Sequence, residues 1–263
     1  YVTFHAKGAP RVIKENDSAW VRMSVSNQLR AIANGFAIVA SYPELKDIPI
    51  VIGESDPEGC AACPVRTDPH NAYRNGTMYS SYTAEQIART YELADLHKVN
   101  LLGSVTWAFE FEDQPYFDGF RDLSTNGLPK PVLNVFRMLG QMGGDRVAVE
   151  STGAVPLETV RDVGVRERAD ITALASRQER AIGEHEWNYQ DDDLAAPPAM
   201  QGRSLAPWLR GETPAGWRTD FYYEHVTLPQ MIPPCEGVRT EDWKYIRWTA
   251  TSPLVEELYH LAN

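Results

Sequence analysis

The stretch Ile48-Pro-Ile-Val-Ile-Gly-Glu-Ser-Asp-Pro-Glu-Gly59 decides how this chain is read. Its first half is a run of β-branched apolar residues, and its second half is a turn. A run that is apolar on both alternating faces, and then stops abruptly, predicts a parallel strand covered on both sides. In parallel α/β folds the chemistry gathers where strands end and loops begin. Glu54, the carboxylate at the end of the run, is therefore the leading candidate for a catalytic residue. The structural alternative is an acid that caps or salt-bridges a loop.

Working outward, the first 144 residues alternate between strand and helix patterns. Tyr1-Val-Thr-Phe4 reads as a strand end. Ser18 is the expected N-cap of a long helix whose apolar stripe is Val21, Val25, Leu29, Ile32 and Phe36, ending before Pro43. After the Ile48–Gly53 strand, a long loop from Ser55 to about Tyr82 leads to Thr83-Ala-Glu-Gln86, whose spacing is that of a capping box opening a second helix. Leu101–Phe109 is the next apolar strand, and Pro131 suits the first turn of a helix closed by Gly143-Gly144. Strand, helix, strand, helix, strand, helix implies parallel pairing in a doubly wound sheet or a (β/α) barrel. No G-x-G-x-x-G or Walker loop follows any strand, which favours the barrel and implies no nucleotide cofactor.

After Gly144 the texture changes. Asp145–Val149, Val160–Val163, Asp170–Leu174 and Glu184–Tyr189 are short, partly alternating runs with antiparallel character. Asp191-Asp-Asp193 reads as a solvated turn, because it lacks the spaced oxygen ligands of a calcium loop. Leu194-Ala-Ala-Pro-Pro198 has linker composition. Beyond it lies a segment rich in Trp and Pro, with strand-like runs at Thr219–His225 and Asp242–Trp248. The expected organisation is thus residues 1–144, 145–196 and 197–263.

The net charge of -11 argues against a nucleic-acid partner, which would call for clustered Lys and Arg. No apolar run has the length of a membrane span, and no basic-then-apolar leader is visible. The compartment stays open. Cys60 and Cys63 form a C-x-x-C directly after the Glu54 turn. No second such pair completes a zinc site, and Pro64 speaks against the helix opening of a thioredoxin-like motif. A loop pair in either redox state is expected, and no metal site. Asn75-Gly-Thr77 has glycosylation spacing, a motif common by chance.

Two resemblances follow from these residues. Phe4-His-Ala-Lys-Gly8, Val51-Ile-Gly-Glu-Ser-Asp-Pro-Glu-Gly-Cys60, Val105-Thr-Trp-Ala-Phe-Glu-Phe-Glu112 and Trp187-Asn-Tyr189 resemble the later half of a family 39 glycoside hydrolase, closest to its bacterial β-xylosidase branch. That resemblance implies an α/β fold, here the last three β/α units of an incomplete (β/α)8 barrel, followed by short antiparallel segments that begin a β-sandwich. It implies a retaining mechanism on β-xylosides with Glu54 as nucleophile. His5, Trp107, Glu110 and Glu112 become substrate-binding candidates, with Lys7 and Asp113 behind them. A small-molecule or oligosaccharide substrate is the expected partner. Trp107 suits stacking under a sugar ring.

The family's acid/base is the Glu of an Asn-Glu pair ending the fourth strand. No Asn-Glu dipeptide occurs in these 263 residues. A complete barrel takes about 200–250 residues, whereas only residues 1–144 carry the barrel pattern here, so the chain is expected to be a fragment that is inactive alone and associates through its open barrel edges.

The second resemblance covers roughly Met200 to Asn263. Gln201-Gly-Arg-Ser-Leu205, Tyr223-Glu-His225 and Gly237-Val-Arg-Thr-Glu-Asp-Trp-Lys-Tyr245 are similar to the C-terminal end of a type I sulfatase. His225, Lys244 and Arg247 are its candidates for contact with an anionic group. The catalytic C-x-P-x-R motif of that family has only a near miss here, Cys63-Pro-Val-Arg66. Three readings therefore stand side by side: a glycosidase fragment, a sulfatase, and a non-catalytic carbohydrate-binding or structural fragment.

Overall fold

The computed structural model describes residues 1–15, 18–108, 111, 113–179, 181–192, 219–225 and 234–261. They belong to two compact units, Tyr1–Ala195 and Ala196–Asn263.

The first unit is mixed α/β. Strand β1 (Val2–Lys7) runs into a hairpin of β2 (Arg11–Glu15) and β3 (Ser18–Arg22), and helix α1 (Val25–Ala40) follows. Strand β4 (Ile50–Asp56) contains the decisive stretch. After it come helix α2 (Thr77–His97), strand β5 (Leu101–Ser104), the two-residue strands β6 (Ser124–Thr125) and β7 (Leu128–Pro129), and helix α3 (Pro131–Leu139). Strand β8 (Asp145–Val147), helix α4 (Leu157–Asp162) and strands β9 (Asp170–Gln178) and β10 (Ala181–Tyr189) complete the unit.

The central sheet has the order β1-β4-β5, with both pairings parallel. Ile50 and Ile52 of β4 are fully buried, as an apolar run in a covered parallel strand requires. Helix α1 buries Val25, Leu29, Ile32, Phe36 and Val39, a stripe at helical spacing. Each such side chain contributes about 1.5–3 kcal/mol on leaving water. The helix lies so close to β1 that a Cβ at Gly35 would stand 2.5 Å from the Phe4 ring, so any larger residue there would have to displace that ring.

Several boundaries differ from the sequence reading, each for a tertiary reason. Ser18 does not cap a helix but opens β3, and α1 starts at Val25. The hairpin is held by a distant residue, because Asp192 accepts hydrogen bonds from Trp20 Nε1 (2.9 Å) and from the Arg22 guanidinium. Helix α2 starts at Thr77 rather than Thr83. The Thr83 hydroxyl donates to the Tyr79 carbonyl (2.7 Å) and the Gln86 amide reaches Ser55 (2.9 Å), so neither serves a cap. Residues 160–163 belong to a helical turn and its end, since α4 packs Val160 into the core instead of pairing as a strand. Asp191 and Asp192 are buried, not solvated. Asp191 accepts from the Tyr189 hydroxyl (2.7 Å) and the Val165 amide (2.9 Å).

Beyond α3, β8, β9 and β10 form an antiparallel sheet in the order β10-β9-β8. Its hairpin of two nine-residue strands, β9 and β10, turns at Glu179, whose φ of 53° is the left-handed conformation that tight hairpins use. These strands all follow Gly144 and lie in the same compact unit as the parallel sheet.

The second unit is a four-stranded antiparallel meander, β11 (Asp220–His225), β12 (Cys235–Thr240), β13 (Trp243–Trp248) and β14 (Val255–His260). Cys235 and Ile246 are buried in it. The expected linker at Leu194–Pro198 lies outside the described residues. Among the described residues no helix is long and apolar enough to cross a membrane.

Candidate active site

Parallel pairing brings the C-terminal ends of β1, β4 and β5 to one end of the sheet. His5 pairs with Glu54 across β1 and β4, and Lys7 pairs with Asp56. The register slips by one residue between Phe4 and His5, so Gly53 has no partner of its own. A Cβ on Gly53 would stand 3.1 Å from the imidazole of His5, tighter than a side chain normally tolerates. Glycine at this position thus admits the histidine ring beside the glutamate that follows it.

Glu54 is partly exposed, with its side chain 23% accessible. Lys7 donates through Nζ to Glu54 Oε2 and to Asp56 Oδ2. Glu54 and Asp56 are two residues apart on one strand and so share a face, which lets one ammonium serve both. His5 Nδ1 lies 3.7 Å from Glu54 Oε1, in ion-pair range when the ring is protonated but too long for a hydrogen bond.

Behind this exposed edge the carboxylates are fully enclosed. Asp56 accepts from Thr106 Oγ1 (2.6 Å) and the Trp107 amide (3.0 Å), and pairs with Arg121 (3.3 Å). Arg121 also donates to the Trp107 carbonyl (2.9 Å) and pairs with Glu58 (2.7 Å). Glu58 is not the solvated turn residue its Pro-Glu-Gly setting suggests. It is buried between Arg121 and Arg74 and accepts from the Tyr73 hydroxyl. Arg74 is fully buried and donates to the carbonyls of Cys60, Ala61, Cys63 and Gly119, which fixes the loop that follows β4. Cys60 and Cys63 are joined by a disulfide within that loop.

The structure therefore brings His5, Glu54 and the backbone of Trp107 to one end of the sheet, and adds Lys7, Asp56, Glu58, Arg74 and Arg121. Strand β5 is shorter than expected, because beyond Val105 the chain turns the Thr106 hydroxyl and the Trp107 amide toward Asp56. The Trp107 side chain is 46% exposed, as a stacking surface has to be. Glu110 and Glu112 lie outside the described residues. Arg74 and Arg121 carried no signal in the sequence, since their partners stand 11–65 positions away and no local pattern links them.

In the second unit, Lys244 and Arg247 are three positions apart on β13, and so project to opposite faces of the sheet. Arg247 pairs with Glu236 (3.2 Å), and Lys244 lies 6.0 Å from the centre of the Tyr223 ring. The side chain of His225 lies outside the described residues. Among the described residues no three His, Cys, Asp or Glu side chains gather as a metal site requires.

The arrangement is a partly exposed carboxylate near the C-terminal end of a parallel strand, with a lysine bonded to it and a half-exposed tryptophan following the neighbouring strand. The model of the glycosyl hydrolases family 39 matches residues 5–199, and the chain belongs to that family. Residues 190–263 match the model described as N-sulphoglucosamine sulphohydrolase, C-terminal, so the second unit is similar to the end of a sulfatase. No curated protein matches the chain.

Proposed function

We propose that the chain is part of a retaining glycoside hydrolase acting on β-xylosides, with Glu54 as the nucleophile. The observation that carries the proposal is the position of Glu54: two residues before the C-terminal end of the central parallel strand, partly exposed, with Lys7 bonded to one oxygen, inside the family-matched region. A carboxylate that attacks an anomeric carbon has to be ionised and fixed in direction. Lys7 offers both a countercharge and an anchor. In this reading β1, β4 and β5 are the last three strands of a (β/α)8 barrel, and β8 to β10 begin the appended sandwich. His5 binds a sugar hydroxyl and Trp107 stacks on the ring.

Retention takes two carboxyl groups about 5–5.5 Å apart. No Asn-Glu pair occurs in these 263 residues to supply the second. The chain by itself is thus proposed to hold the nucleophile without its acid, and to lose the roughly 10²–10⁴-fold that general acid catalysis contributes. The sulfatase reading draws on the match of residues 190–263. The separation of Lys244 and Arg247 on opposite sheet faces weighs against a sulfate site on β13.

The nucleophile is tested by a reagent that needs no acid. With 2-deoxy-2-fluoro-β-xylosyl fluoride, the carboxylate forms a bond to the anomeric carbon as fluoride leaves, and the ring fluorine slows hydrolysis of the product. Peptide mass mapping is expected to place the label on Glu54 and to find none in Glu54→Gln. A label elsewhere, or none on the wild type, rejects the assignment. The same preparation is expected to leave an aryl sulfate intact.

A further inference from the structure

We infer that Asp56 is the positioning residue of this site: one of its oxygens fixes the backbone from which Trp107 projects, and the other, through Lys7, fixes Glu54. The inference rests on the reading of Glu54 as nucleophile. It assigns a role to a residue that cannot itself meet a sugar, because Asp56 is fully buried.

Three hydrogen-bond donors and one further cation converge on this carboxylate from three separate segments, and they divide between its oxygens. Oδ1 takes the Thr106 hydroxyl and the Trp107 amide, both just beyond β5. Oδ2 takes Lys7 from the end of β1 and faces Arg121. Arg121 closes the frame by donating to the Trp107 carbonyl, so the Trp107 peptide is gripped at both its N–H and its C=O.

A buried ion pair made only for stability has no need of Lys7, since Arg121 already faces Asp56 and Glu58. Lys7 instead bridges the buried Asp56 and the partly exposed Glu54. A lysine on its flexible stem holds a direction poorly. Anchored to an immobile carboxylate, it becomes a fixed strut for the one beside it. Catalytic groups need such support, because a misplacement of about 1 Å costs on the order of 10²-fold in rate.

The two-oxygen division makes the inference testable in the full chain. Asp56→Asn keeps an acceptor for Thr106 and Trp107 but turns an amide NH2 toward Lys7. It is expected to slow labelling of Glu54 by the fluoro-xylosyl fluoride about 10- to 100-fold, with the half-saturating reagent concentration little changed and the Trp107 amide still protected from hydrogen exchange. Asp56→Ala is expected to slow labelling as much and to release the Trp107 amide to exchange. Lys7→Met is expected to slow labelling while leaving that amide protected.

Far-UV circular dichroism and cooperative unfolding establish that each variant is folded. If Asp56→Ala does not fold, the other two variants carry the test. A folded Asp56→Ala with an undisturbed Trp107 amide, or Lys7→Met labelled at the wild-type rate, overturns the inference. A wild-type chain that takes no label removes the nucleophile reading and the Glu54 half of this one, while the Trp107 amide still judges the other half.

Discussion

Both guanidiniums that flank Glu58, those of Arg74 and Arg121, stand 2.7 Å from the same carboxylate oxygen. Burial holds the Glu58 carboxyl above its ordinary value, and the two arginines offset only part of that rise. The turn of the decisive stretch is thus stabilised by charges fully removed from water. Such a group costs little while every partner is present and a great deal when one is taken away. Arg74 also satisfies four backbone carbonyls around the Cys60–Cys63 loop. Arg74→Met is therefore expected to destabilise the first unit by about 3–5 kcal/mol, read by urea denaturation. A loss under about 1 kcal/mol would mean that the disulfide alone holds the loop. Nothing at residues 57–59 discloses this arrangement, because Pro-Glu-Gly is a turn signal whether the glutamate faces solvent or the interior.

At the scale of elements, α2 connects the parallel sheet to the antiparallel hairpin. Gln86 bonds Ser55 of β4, and one helical turn carries Glu85 and Arg89 toward β9 and β10. Glu85 accepts from Trp187 Nε1 (2.6 Å) and from Arg89 (3.0 Å), and Arg89 continues to Asp170 and to the Val155 carbonyl. Burial pushes the Glu85 carboxyl up to about 8, Arg89 opposes that rise and Asp170 adds to it. The sign of the pH effect follows. A folded-state value above the unfolded one gives stability that is complete below the unfolded carboxylate range, near 4.3, and is lost as pH rises through about 8. Between pH 5 and 9 the unfolding free energy of the wild type is expected to fall more steeply than that of Glu85→Gln, which cannot ionise and keeps an acceptor for Trp187. Parallel slopes in thermal or urea unfolding would contradict this.

The element scale also separates what the sequence disclosed from what it did not. The apolar stripe of α1 and the strand β4 were legible because each pattern is local and repeats at a fixed period. The α2 start was not. Its first turns carry tyrosines that are buried by distant residues, while Thr83 and Gln86 mimic a cap they do not make. Residues 160–163 misled in the same way, since a short run with two valines fits a strand or one helical turn until packing decides.

For the whole molecule, the parallel sheet has three strands, and its outer members β1 and β5 pair with no further strand among the described residues. Leu102 on β5 is 68% exposed, and Val105 beyond it is 51% exposed. Edge strands with exposed apolar side chains favour pairing between chains. Sedimentation velocity is expected to show the average mass rising with protein concentration, and Leu102→Lys to shift the chain toward the monomer. A mass independent of concentration would remove self-association through these edges.

The sequence by itself determined that a carboxylate lies near the end of a covered parallel strand, and that the family is that of the family 39 glycosyl hydrolases. Those facts live in short contiguous patterns, where hydrophobic period and motif spacing suffice. Only the tertiary structure decided which charges surround Glu54. His5 and Lys7 reach Glu54 from β1, and Asp56, Trp107 and Arg121 behind them come from three further places in the chain, so their meeting depends on strand order and on the burial of charges no local pattern records. Glu54 is thus named by the sequence, while its setting is made by the fold.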